Sequence, residues 1–136
     1  MEKKIPKVLI IDDDKFLLNM YSIKFSKNNF EVNAASMGEE AITKLKEGYK
    51  PDIILLDIVM PGMDGFDVLE AIRSEKLAPE AMIIMLTNQG QLTDIEKAKS
   101  FGINGYIIKA TTIPSEVVQE VTRIYNLEKK TDISLA

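Results

Sequence analysis

The sequence predicts an α/β domain in which helices cover both faces of a parallel sheet. Two observations lead to this prediction. Short apolar runs of the kind that form buried strands alternate five times with segments whose apolar residues recur at helical spacing. The 136 residues, of which 46% are hydrophobic, are enough for one domain with a substantial core. Alternation of this kind is typical of parallel sheets with right-handed crossovers.

Each predicted strand is a short, mostly apolar run that ends at or beside a polar or small residue. The second strand is the least regular, because its apolar and polar residues alternate only loosely. In chain order the five predicted strands are Lys7–Asp12, Phe30–Ala35, Asp52–Asp57, Met82–Thr87 and Gly105–Lys109.

Each predicted helix presents an apolar stripe at a spacing of three to four residues. Ser36 and Glu39 form a predicted capping box at the second helix, and Asp64 is the predicted N-cap of the third. Residues 129–136 are predicted to form a flexible tail, which leaves residues 1–128 as the domain. In chain order the stripes are Leu17, Leu18, Tyr21 and Phe25; Ala41, Ile42 and Leu45; Phe66, Leu69 and Ile72; Leu92, Ile95, Ala98 and Phe101; and Val117, Val118, Val121, Ile124 and Tyr125.

The composition excludes several kinds of chemistry. The chain has no cysteine and no histidine, so disulfides, cysteine nucleophiles, Ser-His-Asp catalysis and zinc sites built on these residues are ruled out. A net charge of −4 argues against direct nucleic-acid binding, which requires a basic surface. No apolar run approaches the roughly 20 residues of a membrane span, and no signal peptide is recognisable. We therefore expect a cytoplasmic protein without membrane insertion.

Polar residues gather where the predicted strands end. Because ligands of open parallel sheets bind at the carboxyl ends of the strands, we expect these side chains to share a site. If the first and third strands are neighbours, their terminal carboxylates are close enough to hold one ion. Carboxylates suit Mg²⁺, which also accepts phosphate oxygens, and a carboxylate can itself accept a phosphoryl group. The strand-end residues are Asp12, Asp13, Asp57, Thr87 and Lys109.

Four segments resemble the motifs of bacterial response regulator receiver domains. They are Ile10–Asp14, Leu56–Gly65, Leu86–Thr87 and Tyr106–Lys109, and the resemblance covers about residues 7–127. The four motifs together, in this order and spacing, indicate the family far more specifically than any one motif alone. The resemblance implies a flavodoxin-like (βα)5 fold with a doubly wound five-stranded parallel sheet in the order 2-1-3-4-5. It also implies a signalling switch in a two-component phosphorelay.

The resemblance further implies which residue is phosphorylated and which residues bind the metal ion. Asp57 would accept a phosphoryl group from the phosphohistidine of a sensor histidine kinase or a histidine phosphotransfer protein. Mg²⁺ is the implied cofactor. Its implied ligands are Asp13 and Asp57, the backbone carbonyl of Val59, and Asp12 mainly through water.

The remaining implied roles concern the response to phosphorylation. Thr87 and Lys109 would contact the phosphoryl group, and Tyr106 would change rotamer as Thr87 moves. Packing alone is an equally good explanation of a tyrosine in a strand. The implied output face is the fourth helix, fifth strand and fifth helix, for a protein target that the sequence does not identify. No enzymatic activity is implied beyond self-phosphorylation from small donors and slow self-dephosphorylation.

One departure from the family pattern follows the lysine. Receivers usually continue with a proline after a cis peptide, whereas Lys109 is followed by Ala110. A cis bond before a residue other than proline costs ~3 kcal/mol, so we expect a trans bond here. Val59 and Gln89 occupy positions that in receivers flank the attacking water and influence the lifetime of the phosphate.

Two other functional classes remain open at this stage. Asp12 and Asp14 match the Asp-x-Asp pattern of Mg²⁺-dependent phosphatases with an aspartyl nucleophile, although such enzymes usually carry a cap domain. Alternatively, the chain is a pseudo-receiver that acts as an interaction module without phosphorylation. Asp14 also has a purely structural interpretation as a helix N-cap or first-turn acid. The sequence is compatible with a stand-alone receiver and with one excised from a larger regulator.

Overall fold

The computed structural model describes residues 5–88 and 92–135, except for the side chains of residue 92 and of residues 129–135. Within these residues, five strands alternate with five helices. The strands are β1 (Lys7–Ile11), β2 (Glu31–Ala35), β3 (Ile53–Asp57), β4 (Met82–Thr87) and β5 (Gly105–Ile108). The helices are α1 (Lys15–Lys27), α2 (Gly38–Lys46), α3 (Gly65–Ser74), α4 (Leu92–Ser100) and α5 (Pro114–Leu135), and a short 3₁₀ turn covers Lys109–Thr111.

The five strands form one parallel sheet in the order β2-β1-β3-β4-β5. This confirms the fold class predicted from the sequence and the strand order implied by the family resemblance. The register pairs Ile11 of β1 with Leu56 of β3, and Asp57 of β3 with Leu86 of β4. The first and third strands are therefore neighbours, which is the condition for their terminal acids to meet.

Each face of the sheet carries its own apolar core. Successive side chains of a strand point to opposite faces, so a strand covered on both faces is apolar throughout. In β3, for example, Ile54 and Leu56 belong to the core beneath α2, α3 and α4. Ile53 and Leu55 belong to the core beneath α1 and α5. All four side chains are fully buried, which explains the continuous apolar run in the sequence.

The helix starts agree with the sequence in two cases and differ in one. The side chain of Asp14 accepts a hydrogen bond from Leu17 at the start of α1. Asp64 caps α3 as predicted. The capping box predicted from Ser36 and Glu39 is wrong, because α2 starts at Gly38 and its N-cap is Met37, which makes no side-chain cap. The predicted pattern would start the helix one residue earlier than it actually starts, so Glu39 does not occupy the N3 position.

Three element ends also differ from the sequence prediction, and the first is that of β1, which ends at Ile11, one residue before the predicted Asp12. β5 ends at Ile108, and Lys109 opens the 3₁₀ turn. The backbone of α5 continues to Leu135, across the boundary predicted at residue 128. The apolar stripe used for the prediction ends at Tyr125, while good helix formers such as leucine, glutamate and lysine follow it. Among the described residues, no helix combines the length and apolar character needed to cross a membrane.

Candidate functional site

The candidate site lies at the carboxyl ends of β1, β3 and β4, with the turn after β5 beside them. Asp57 is the last residue of β3, and Asp12 directly follows β1. Because Ile11 pairs with Leu56, the next residue of each strand, Asp12 and Asp57, emerges at the same level of the sheet edge. Two carboxylates are thereby brought side by side by the sheet register alone.

Three carboxylates converge here. One oxygen from each of Asp12, Asp13 and Asp57 lies within 4.8 Å of the others. Asp12 and Asp57 are buried, whereas Asp13 is exposed. Asp12 is held by its own loop, because its Oδ1 accepts a hydrogen bond of 3.0 Å from the backbone N–H of Asp14. The structure therefore brings together the three acids that the sequence selected.

Lys109 enters the cluster from the turn after β5. Its Nζ donates to Oδ2 of Asp12 at 2.9 Å and to Oδ2 of Asp57 at 3.4 Å. The side chain is only 6% exposed. Since β5 lies two strands from β3, at ~4.8 Å per strand, only a long side chain can span the gap. The predicted proximity of Lys109 to Asp57 is present, with a closer contact to Asp12 that the sequence did not indicate.

Burial and charge shift the acid–base properties of the site. Burial is the main cause that raises the pKa of Asp57 to about 7, and the negative charge of Asp12 acts in the same direction. Lys109 opposes this rise without cancelling it. Burial also lowers the pKa of Lys109, but its hydrogen bond to Asp12 and the two carboxylate charges outweigh burial and raise that pKa above its ordinary value. One ammonium group thus does not fully compensate the buried negative charge.

The donor atoms fit a hard divalent cation. Oδ1 of Asp57 is buried and, among the described residues, has no hydrogen-bond partner. A buried carboxylate oxygen without a partner is costly, and a cation would satisfy it. The cluster offers only oxygen ligands, and Mg²⁺ commonly binds through one or two carboxylates while keeping several waters. The exposed Asp13 leaves one side of the cluster open to solvent.

The other residues selected from the sequence lie around this cluster. Thr87 is buried at the end of β4, one residue beyond Leu86, the register partner of Asp57. Val59 follows β3 and its side chain is 67% exposed, so its role rests on the backbone carbonyl and stays a prediction. Tyr106 in β5 is 39% exposed, and Nζ of Lys99 lies 5.8 Å from its ring centre. Gln89 lies outside the described residues.

The backbone after Lys109 follows the expectation from the missing proline. The Lys109–Ala110 peptide bond is trans, as are the other bonds in the described part of the chain. The segment forms a 3₁₀ turn in which the N–H of Thr112 donates to the carbonyl of Lys109 at 3.3 Å. The departure from the family pattern therefore still leaves Lys109 directed into the acid cluster.

Gly65 is a site residue whose role sequence reasoning missed. A Cβ at this position would lie 2.4 Å from the carbonyl oxygen of Asp57 and 2.8 Å from Cα of Ile58. The N–H of Gly65 donates to the carbonyl of Ile58 at 2.7 Å. The start of α3 is thus seated directly on the end of β3. The signal in the sequence was the Asp64-Gly65 pair, which by itself indicates only a turn.

Tyr21 was assigned to the core of α1, and it is fully buried there. The charges of the site also act electrostatically on its hydroxyl group. Burial raises the pKa of Tyr21 above its ordinary value, and Asp12 and Asp57 add to the rise while Lys109 opposes it. The phenol is therefore neutral at physiological pH, and it borders the charged cluster from the α1 side.

Comparison with known proteins identifies related sequences over most of the chain. The family model described as response regulator receiver domain matches residues 8–122. The transcriptional regulatory protein ResD of Bacillus subtilis is 35% identical over 126 residues, which cover 92% of this chain and 50% of ResD. The DNA-binding response regulator MtrA of Mycobacterium tuberculosis is 32% identical over 121 residues, which cover 89% of this chain and 51% of MtrA. The chain thus spans about half the length of these relatives.

Two solved structures match over nearly their whole length. The chemotaxis protein CheY4 of Vibrio cholerae superposes with a TM-score of 0.81 at 28% identity, covering 89% of this chain and 99% of CheY4. A CheY-like response regulator receiver domain protein of Methanospirillum hungatei gives a TM-score of 0.83 at 26% identity, covering 94% of this chain and 99% of that protein.

Proposed function

The chain belongs to the response regulator receiver family of two-component systems, and from this premise we propose that Asp57 is its phosphoacceptor. The observation that carries the proposal is the position of Asp57. Its carboxylate lies at a strand end, buried, next to two further acids and within hydrogen-bonding distance of the Lys109 ammonium. A nucleophile, a cation site and a fixed positive charge are the parts that phosphoryl transfer to a carboxylate requires.

In the proposed reaction, an oxygen of Asp57 forms a bond to phosphorus as the phosphorus–nitrogen bond to the donor histidine breaks. Asp12, Asp13 and Asp57, with the carbonyl of Val59, would hold Mg²⁺. When bound, Mg²⁺ would neutralise charge on the carboxylate and on the transferring phosphoryl oxygens. Lys109 supplies a second positive charge from within the protein. A cation beside Asp57 also lowers the pKa that burial raises, and so favours the nucleophilic carboxylate.

The response to phosphorylation is proposed to start at Thr87. Its hydroxyl would hydrogen-bond a phosphoryl oxygen, and Tyr106 would change its exposure as the end of β4 moves. The output face would comprise α4, β5 and α5. The proposed partners are a sensor histidine kinase or histidine phosphotransfer protein and a downstream protein in the cytoplasm, with no direct nucleic-acid contact by this domain. Its only proposed chemistry is its own modification and slow dephosphorylation.

The two alternative functions receive less support. In the phosphatase hypothesis Asp14 would be a helper acid, but its side chain caps α1 by accepting from Leu17. It is also absent from the acid cluster formed by the described residues. A pseudo-receiver would not need to keep Asp57 buried with an Oδ1 that has no partner in the part of the chain that the structure describes. Retaining such a costly arrangement favours a site that binds a cation and reacts.

The test is modification by a small phosphodonor. Incubation with acetyl phosphate and Mg²⁺ should add one phosphoryl group, detected by intact-mass spectrometry. The adduct should disappear in Asp57→Asn and when Mg²⁺ is chelated. Asp64→Asn is the matched control, because asparagine caps a helix about as well as aspartate and Asp64 lies outside the cluster. An adduct that persists in Asp57→Asn would refute the assignment of the phosphoacceptor.

A further inference from the structure

The helix α4, part of the proposed output face, buries few of the side chains that the structure describes. Among the α4 side chains that the structure describes, only those of Ile95 and Ala98 are buried. The remaining described positions are polar or charged and face solvent at least in part. Because apolar burial is the main force that seats a helix on a sheet, other contacts have a larger share in positioning α4.

One such contact comes from Arg73 in the last turn of α3. Its Nε donates to the carbonyl of Phe101 at 2.8 Å, and its Nη2 donates to the carbonyl of Gly102 at 3.1 Å. Both carbonyls lie in the turn that ends α4. Gly102 has a φ of +78°, the left-handed conformation that commonly closes a helix. A guanidinium at this end also complements the negative pole of the helix dipole.

A second contact joins the middle of α4 to the start of α3. Nζ of Lys97 lies 4.4 Å from the ring centre of Phe66, within the range of a cation–π interaction. Phe66 directly follows Gly65, which is packed against the carbonyl of Asp57 without room for a Cβ. Helix α3 is therefore fixed to the acceptor strand at its start and holds the carboxyl half of α4 at two points.

The carboxyl end of α4 is bound to α3 through the carbonyls of Phe101 and Gly102. Its amino end begins at Leu92, five residues after Thr87. We propose that Arg73 is the pivot of α4. It keeps the carboxyl end of the helix in place in both states of the switch, so that modification of Asp57 moves the amino end of α4 and Tyr106. This inference rests on the proposed function.

The chain has two arginines, Arg73 and Arg123, which makes the pivot directly observable by NMR. The experiment uses the full ¹⁵N-labelled chain with Mg²⁺, with and without beryllofluoride, an analogue of the phosphoryl group on aspartate. The Arg73 Nε–H should exchange with solvent several-fold more slowly than that of Arg123 and keep its chemical shift when beryllofluoride binds. The amide signals of Phe101 and Gly102 should keep their chemical shifts, whereas the amide signal of Tyr106 should shift.

A matched pair of variants separates the pivot from a general structural effect. Arg73→Lys keeps the charge but cannot donate two bonds from one planar group. The beryllofluoride-induced shifts should then extend to Phe101 and Gly102. Arg123→Lys changes a guanidinium that pairs with Glu120 on the surface of α5, and it should give the wild-type pattern. An unchanged pattern in Arg73→Lys would overturn the pivot.

The wild-type spectrum decides the matter even if Arg73→Lys does not fold. An Arg73 Nε–H that shifts strongly or exchanges faster with beryllofluoride would refute the pivot. So would amide shifts at Phe101 and Gly102 as large as that of Tyr106. If beryllofluoride shifts no amide, including those of Asp57 and Thr87, the proposed function fails and the pivot fails with it. If beryllofluoride shifts the amide signals near Asp57 and also shifts those of α4 evenly along the helix, the pivot is refuted and the proposed function stands.

Discussion

Lys109 lies closer to Asp12 than to the proposed acceptor: its Nζ is 2.9 Å from Asp12 Oδ2 and 3.4 Å from Asp57 Oδ2. Without a metal, the ammonium therefore neutralises Asp12 first and Asp57 only in part. A cation bound by the three acids would add positive charge where the ammonium is insufficient. The relationship makes Lys109 a structural residue as well as a proposed contact of the phosphoryl group, and both roles can be measured.

We expect Lys109→Gln to destabilise the metal-free protein at neutral pH. Removing one partner of a buried ion pair typically costs about 3–5 kcal/mol, because the remaining charge stays buried without compensation. Urea denaturation at pH 7.5 in EDTA measures the loss. Lys46→Gln is the control, since Lys46 pairs with Glu75 on the exposed surface, where such pairs contribute about 1 kcal/mol at most. Equal losses in both variants would contradict the buried ion pair.

Asp57→Asn should stabilise the metal-free protein above neutral pH. Folding raises the pKa of Asp57 from 3.8 to about 7, so the folded state binds this proton more tightly than the unfolded state. The stability contributed by Asp57 is therefore complete below about pH 4 and is lost as the pH rises to about 7. Asparagine avoids that loss, and each ~1 kcal/mol regained raises Tm by roughly 3 °C in a domain of this size.

The measurement is a series of thermal melts in EDTA from pH 4 to pH 8. The difference in stability between Asp57→Asn and the wild-type protein should grow across the window from about 4 to about 7 and then level off. Mg²⁺ should reduce the difference at pH 8, because only the wild-type site binds it well. A difference independent of pH would show that Asp57 does not titrate in this window.

Mg²⁺ should raise the stability of the wild-type protein, and Asp13→Asn should remove most of this effect. A ligand that binds only the folded state at ten times its Kd stabilises it by about 1.4 kcal/mol. Asp13 is exposed and close to Asp12 and Asp57, so its replacement alters the cation site with little effect on the core. Thermal melts with increasing MgCl₂, reversed by EDTA, provide the measurement.

The matched control for the metal test is the neighbouring residue. Asp14→Asn removes one negative charge at the next position but keeps a side-chain oxygen for capping α1. It should retain the wild-type response to Mg²⁺. If both variants lose the response equally, the effect comes from net charge near the site, and Asp13 is not a specific ligand.

Gly65→Ala should destabilise the protein and slow its phosphorylation. The new Cβ would meet backbone atoms, the carbonyl oxygen of Asp57 at 2.4 Å and Cα of Ile58 at 2.8 Å, so the chain must shift at the acceptor. Overpacking of this kind typically costs about 1–3 kcal/mol. Urea denaturation and the rate of adduct formation with acetyl phosphate measure the two effects.

Gly48→Ala is the comparison for this glycine. Gly48 has a φ of +102°, but a Cβ added at this position would have no atom of the described residues within 4 Å, apart from its immediate neighbours in the chain. Its substitution should cost about 1–2 kcal/mol from backbone conformation alone and leave the phosphorylation rate unchanged. A Gly65→Ala protein that is phosphorylated at the wild-type rate would disprove the link between this turn and the acceptor.

Much of the fold was predictable because its signals are local. A strand buried on both faces must be apolar throughout, so the runs that end at Asp12 and Asp57 were visible directly. The cap at Asp64 was likewise readable, since it depends on a few adjacent residues. The capping box predicted at Ser36 was wrong for the opposite reason: α2 begins at Gly38, which is packed closely against Met63 and Val68, and a four-residue pattern does not contain such distant contacts.

The order of the strands was accessible only through the resemblance to a family. Alternation of strands and helices predicts a parallel sheet, but it does not state which strands are neighbours. The contact of Lys109 with Asp12 depends on that order and on a long side chain, because β5 and β1 lie three strand positions apart in the sheet. The packing of Gly65 against Asp57 and the bonds from Arg73 to the end of α4 are also invisible to periodicity.

The sequence by itself determined which chemical groups stand at the strand ends: three carboxylates, a hydroxyl and a lysine, with neither cysteine nor histidine available. Only the tertiary structure decided how these groups behave. It buried Asp57 to 2% exposure, left one of its oxygens without a partner among the described residues, and set a single ammonium between two acids. Desolvation and charge interactions depend on everything packed around a group, and residues distant in the chain supply most of those surroundings.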